Sequence, residues 1–168
     1  MAPRKLIFYW ALYGFLALVL LLVQSLLLNH LQISGVHPFL LPCVAVLTAV
    51  YTSRRGGCIF AFLFGFVCDA LFIGAIPCFY LLVFTLCAFG AGLLSHRFLS
   101  PGFFCSLLVS AVSVFFTSLF QMFFLSFRSD VPLLSGLHLL ALELALTVPF
   151  ILILHPLYSR IHRFLANV

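Results

Sequence analysis

The sequence predicts an all-α integral membrane protein, a six-transmembrane-helix bundle with N- and C-termini cytoplasmic, on three observations. Of 168 residues, 65% are hydrophobic and 7% charged, whereas soluble domains carry about 25% charged and about 45–50% apolar residues. A water-facing surface cannot be assembled from so few charges. Six apolar segments, 6–28, 37–53, 57–73, 77–95, 103–127 and 134–157, approach the roughly 20 residues that a helix needs to cross about 30 Å of hydrocarbon. With the amino terminus inside, Arg4, Lys5, Arg54, Arg55, Arg97, Arg160 and Arg163 are all cytoplasmic, and only Arg128 is outside. Seven to one is a strong positive-inside bias.

The first segment follows Arg4-Lys5 and so imitates a signal peptide. Its apolar run exceeds the roughly 7–15 residues of a secretory core, and no small-x-small site precedes Asn29. It is expected to be a retained helix. The second segment is short, with Pro38 and Pro42 expected in its first turn, where a missing N–H is tolerated. The third carries Cys58, Ala61, Gly65 and Asp69 at spacings of three or four, and the fourth carries Ala88 and Gly92. Lipid is as apolar as leucine, so membrane helices associate through such small residues and through side-chain hydrogen bonds.

The fifth segment is long enough to tilt. It holds Ser106, Ser110, Ser113, Thr117 and Gln121 at helical spacing. This stripe either lines a polar cavity or packs against a neighbour, since hydroxyls can return their bonds to the preceding turn. The sixth segment ends near Tyr158, and the residues after it are too few to span; Arg160 and Arg163 there suit anionic headgroups or a solvated end. Short Gly/Pro-rich connections leave no room for a linker, so residues 1–168 read as a single domain. The 22 phenylalanines are expected to be lipid-facing bulk and filler between helices.

Asp69 and Glu143 are the chemically conspicuous residues, because a carboxylate at membrane depth is costly and normally faces the bundle interior. One reading is a proton, cation or ligand site. The other is structural: each acid bonds to hydroxyls, an amide or backbone N–H groups. Thr147 shares the face of Glu143, four residues on.

Other chemistry is sparse. The net charge of +5 is scattered in ones and twos, with no basic and aromatic cluster for nucleic acid. Cys43, Cys58, Cys68, Cys78, Cys87 and Cys105 lie in apolar stretches with no C-x-x-C pair and read as small helix residues. His30, His37 and His138 fall towards the outer face, and His96, His155 and His162 at the cytoplasmic boundary, all fitting interfacial anchoring. No phosphate-binding loop, zinc-protease or nucleophile-elbow pattern occurs. No catalytic, cofactor or metal residues are expected, and no enzyme activity.

Residues 37–100 resemble the bacterial rod shape-determining MreD family. The likeness is carried by the Pro38 entry, Arg54-Arg55-Gly56-Gly57, and above all Gly65-Phe66-Val67-Cys68-Asp69-Ala70-Leu71, similar to that family's G-L-L-L-D-L-L core. Gly74, Pro77 and Gly90-Ala91-Gly92-Leu93-Leu94 continue it. The chain departs from the family pattern at Phe39, where an acid is usual, and at Cys78, where a glycine is usual. The resemblance implies a non-catalytic scaffold in the bacterial cytoplasmic membrane. Its direct partner would be MreC, with MreB, RodA and a penicillin-binding transpeptidase in the wider machinery of lateral peptidoglycan synthesis. Gly65, Asp69, Pro77, Gly92 and Glu143 are the candidate packing or partner contacts.

Two rival readings remain. One is the substrate-binding membrane component of an energy-coupling-factor vitamin transporter, although the first helix offers Ala11, Gly14 and Ala17 without the Ala-x-x-x-Ala surface usual there. The other is a proton-coupled transporter or channel using Asp69, Glu143 and the fifth-helix stripe.

Overall fold

The computed structural model describes residues 3–28, 38–72, 78–97, 102–128 and 133–167. Every regular element among them is helical. Helix α1 (Pro3–Val23) passes into a π-helical turn (Gln24–Leu28), followed by α2 (Leu41–Tyr51), α3 (Arg54–Leu71), α4 (Phe79–Arg97), α5 (Phe103–Arg128) and α6 (Leu133–Asn167). Three stretches are long and apolar enough to cross a membrane: Phe8–Leu26, Phe103–Phe124 and Leu139–Arg163. Leu41–Tyr51 and Phe79–Ser95 are shorter apolar helices. Large apolar side chains, among them Phe15, Leu63, Phe66, Leu82, Phe104 and Ile153, point outward. This is the surface of a helical membrane protein.

Helix α2 differs from the segment expected at 37–53. It starts at Leu41, so Pro38 lies before the helix and Pro42 alone occupies the first turn. The reason is side-chain capture of the lead-in. Gln24, fully buried at the π-helical turn, donates through Nε2 to the Pro38 carbonyl (2.9 Å) and accepts at Oε1 from the Leu40 N–H (3.0 Å). The Phe39 N–H donates to Thr147 Oγ1 at 3.3 Å. These bonds satisfy backbone groups that a helix would otherwise have closed internally, which an apolar interior demands.

All eleven residues of α2 are buried. One face (Cys43, Val46, Leu47, Val50) joins a core with Tyr13, Val109, Ile151 and Tyr158, drawn from α1, α5 and α6. The opposite face (Leu41, Val44, Ala45, Ala49) joins a core with Ala61, Phe64, Tyr80 and Phe84 from α3 and α4. Helix α2 is thus a central post with a different partner set on each side.

Helix α6 is longer than the 134–157 segment. It continues through Pro149 and Pro156 to Asn167, so the residues after Tyr158 extend the helix. Each proline withdraws one backbone N–H, a loss that helices in membranes tolerate where neighbours re-satisfy the freed carbonyl.

The helices alternate in direction. Gly56 at the start of α3 abuts Trp10, Arg54 lies against Gly92 near the end of α4, and the His162 ring near the end of α6 sits 5.6 Å from that of Tyr51 at the end of α2. One end of the bundle therefore gathers Arg54, Arg55, Arg160 and Arg163. Asp69 and Glu143 lie towards the other.

Candidate functional site

The conspicuous carboxylate of α3 acts on α4. Asp69 Oδ1 accepts from the Tyr80 N–H at 3.0 Å, and Oδ2 accepts from the Leu81 N–H at 2.9 Å. These amides belong to the first turn of α4, where four N–H groups have no partner within a helix and the dipole favours negative charge. An N-cap normally comes from the residue just before the helix. Here it comes from a neighbouring helix.

Gly65 makes that reach possible. A Cβ at Gly65 would stand 2.6 Å from Leu81 Cα and 2.8 Å from the Tyr80 carbonyl oxygen. Four residues separate Gly65 from Asp69, so both share one face of α3: the glycine admits the first turn of α4 and the carboxylate caps it. Gly57 repeats the device against α2, since its Cβ would collide with the Ala49 backbone. The small-residue line of α3 therefore runs through Gly57, Ala61, Gly65 and Cys68, all buried. Cys58, expected in that line, is half-buried beside it. On α4, Ala88 is buried and Gly92 packs against the Arg54 stem.

Just before α4, Cys78 adopts φ of 62°. Apart from asparagine and aspartate, L-residues visit this left-handed region, where achiral glycine sits freely, only rarely. Pro77, adjacent to Cys78, falls outside the described residues, as do Gly74, His30 and His37.

Glu143 is partly buried on α6, within reach of the Ser118 hydroxyl of α5. The Tyr80 side chain lies within electrostatic range of both Asp69 and Glu143 and within hydrogen-bond reach of Gln121. Thr147 donates to the Glu143 carbonyl at 2.7 Å while accepting from Phe39. Both acids thus lie in the neighbourhood of one tyrosine, towards the end of the bundle opposite the arginines. They do not share a ligand-like arrangement, because both Asp69 oxygens already hold backbone N–H groups.

The fifth-helix stripe divides. Ser106, Ser110, Ser113 and Thr117 are buried, whereas Gln121 is exposed. Ser113 donates to the Ser110 carbonyl (2.8 Å) and Thr117 to the Ser113 carbonyl (2.7 Å), as hydroxyls on an apolar helix commonly do. Ser106 Oγ pairs with the Tyr51 hydroxyl at 3.3 Å.

That last contact opens onto a network not anticipated from the sequence. The Tyr51 hydroxyl also lies 3.0 Å from His155 Nδ1. Tyr158 donates to the Val44 carbonyl and pairs with Thr48 Oγ1, both at 3.3 Å. Tyr9 donates to Thr52 Oγ1 at 3.3 Å, and its ring leans on Tyr13, which leans on Tyr158. Tyr13, Thr48 and Tyr158 are fully buried. Five tyrosines in a chain with 22 phenylalanines were a legible signal, because a buried tyrosine hydroxyl normally requires a partner. The same holds for Gln24.

An apolar groove of about 260 Å³ lies between α4 and α5, lined by Leu86, Gly90, Leu94, Leu108, Val112 and Phe116 among others. Among the described residues, no three His, Cys, Asp or Glu side chains come together as metal ligands. No protein-family model, curated protein or solved structure matches this chain.

Proposed function

We propose that the chain is a non-catalytic membrane scaffold resembling MreD, supporting rod shape and lateral peptidoglycan synthesis in the bacterial cytoplasmic membrane. In this reading six helices cross the bilayer and both termini face the cytoplasm. The gathering of Arg54, Arg55, Arg160 and Arg163 at one end of the bundle supports that orientation. MreC is the direct partner, and MreB, RodA and a penicillin-binding transpeptidase belong to the wider assembly.

The observation that carries the reading is the use made of the run Gly65 to Asp69. The residues that best express the family resemblance hold two helices together. Gly65 allows contact and Asp69 closes both of its oxygens on backbone amides. A carboxylate so employed orders a helix terminus and does not present itself to substrate. What such a bundle offers is a shaped lateral surface and the loops at its outer end.

Affinity capture from native membranes in mild detergent tests the proposal, with protein and small-molecule mass spectrometry on one eluate. MreC and wall-synthesis enzymes are expected. A vitamin-like compound together with ATPase subunits, and no MreC, would overturn the proposal in favour of the energy-coupling-factor alternative. Asp69→Asn is expected to weaken MreC recovery and alter cell shape. Unchanged recovery and shape would remove Asp69 from the partner-ordering role.

A further inference from the structure

We propose that the outward face of α4 binds one anionic phospholipid, with its phosphate at Arg54 and one acyl chain in the groove between α4 and α5. Two observations on neighbouring strips of α4 meet in this site: a cation without a counter-charge, and an apolar gap without a filling.

Arg54 opens α3 and is exposed, yet it does not extend away from the bundle. Its stem lies along Gly92, where a Cβ would stand 3.2 Å from Arg54 Cγ, and its guanidinium sits 4.4 Å from the centre of the Phe89 ring. The absent side chain at Gly92 lets the arginine lie flat on α4, and stacking on the ring face holds it there. Phe89 is about 9 Å short of Ser95, where the apolar stretch of α4 ends. A cation drawn that far along a lipid-facing helix calls for a negative partner. Of the chain's three acids, Asp69 and Glu143 lie towards the opposite end and Asp130 is outside the described residues. Arg55, Arg160 and Arg163 add further positive charge at the same end. Anionic headgroups are the complement that a membrane supplies.

The groove of about 260 Å³ lies alongside. Helices α4 and α5 touch beyond each end of it: Ser95 is within hydrogen-bond reach of Cys105, and the Phe79 and Phe124 rings stand 6.3 Å apart. Between those contacts Gly90 and Ser113 carry too little side chain to close the gap. A Cβ at Gly90 would meet nothing within 4 Å. The Ser113 hydrogen is turned to its own helix, so the lining offers apolar contact. Leu86, Leu108 and Val112 along the rim are exposed, which opens the groove towards lipid.

Shape selects the occupant. From Leu86 to Leu94 the groove is about 12 Å long, and a helix is itself about 10–12 Å across. A helix crossing the membrane would need a trough open at both ends, whereas a flexible acyl chain can enter from the side. Phe89 and Gly90 are about 100° apart around α4, so the guanidinium and the groove flank one strip of lipid-facing surface. One lipid astride that strip reaches both. The inference does not depend on the scaffold reading.

Native mass spectrometry of the purified full-length chain in detergent tests it, with equal amounts of phosphatidylglycerol and phosphatidylcholine carrying identical acyl chains. The wild type is expected to retain one phosphatidylglycerol, several-fold in preference to phosphatidylcholine. Arg54→Gln, which keeps most of the stem, is expected to lose the preference. Gly90→Leu fills the groove and is expected to lower retention of both lipids several-fold. Gly14→Leu adds the same side chain in open space on α1 and is expected to change neither. Equal retention of the two lipids by the wild type would overturn the proposal, as would a preference that survives Arg54→Gln. So would Gly90→Leu behaving like Gly14→Leu, or a lipid-free wild-type dimer that Gly90→Leu dissociates, which would give the groove to a second copy. Should Gly90→Leu fail to fold by size exclusion and helical circular dichroism, Val112→Phe, entering from the α5 wall, makes the same comparison.

Discussion

Helix α2 is held in two unlike ways. Towards α3 and α4 the contacts are close and mostly apolar: Gly57 of α3 meets the Ala49 backbone, and α3 is in turn locked to α4 where Gly65 meets its first turn. Towards α1, α5 and α6 they are made by hydroxyls and rings, with Tyr51, Tyr158, Thr48 and Ser106 bonded across helices. Both are answers to one problem. Within lipid the hydrophobic effect gives helices no reason to prefer each other, so association comes from close van der Waals approach or from hydrogen bonds. Close approach depends on a missing side chain, and fails abruptly when one is added. A hydrogen-bond network is shared among many groups, and loses strength in small steps.

That contrast orders the expected effects of substitution. The largest loss belongs to the glycine side. Gly65→Leu places a side chain against backbone that cannot yield, and is expected to lower stability by about 3 kcal/mol or to prevent folding. Thermal unfolding in detergent, followed by helical circular dichroism, reads this; a loss below about 1 kcal/mol would break the comparison. Asp69→Ala uncaps α4 and is expected to cost about 2 kcal/mol, with Asp69→Asn losing less because one acceptor oxygen survives.

On the hydroxyl side the steps shrink. Tyr158→Phe keeps the ring and removes the bonds to Val44 and Thr48, for an expected loss of about 1 kcal/mol. A double-mutant cycle between Tyr51→Phe and His155→Ala is expected to give a coupling of about 0.6 kcal/mol, the scale typical of hydrogen bonds between membrane helices. Coupling energies as large as the Gly65 effect would erase the distinction between the two sides.

The smallest effects are stabilising and sharpen the glycine argument. A Cβ at Gly14 would meet nothing within 4 Å, so Gly14→Ala is expected to raise helix stability by about 0.5–1 kcal/mol. Cys78→Gly relieves a left-handed backbone at a cost in unfolded-chain entropy, for a net gain of about 0.5 kcal/mol. Opposite signs at Gly14 and Gly65 would demonstrate that position, and not the residue type, decides what a glycine does here.

Much of this arrangement was open to reading in the primary structure. The helical class, the apolar segments and the pairing of Gly65 with Asp69 on one face follow from composition and a period of 3.6. What Asp69 binds did not follow, because its partners are backbone amides eleven and twelve residues away, and a backbone amide has no letter in the sequence. Cys58 was placed in the packing line since its spacing fits as well as that of Gly57; only the approach of Ala49 separates them. Gln121 matches the stripe by period, yet it is exposed, reaching Tyr80 of α4, while Ser106, Ser110, Ser113 and Thr117 are buried.

The sequence by itself determined the solvent of this protein and the existence of its helices. Hydropathy is a sum over residues, and intrahelical hydrogen bonds close within a segment, so neither needs distant partners. Tertiary structure alone decided that α2 is a central post starting at Leu41, that Gln24 grips its lead-in, and that four tyrosines gather around its end. Each of those depends on which helix stands opposite. In an apolar interior a polar group has few places to go, and where they lie is a property of the assembled bundle.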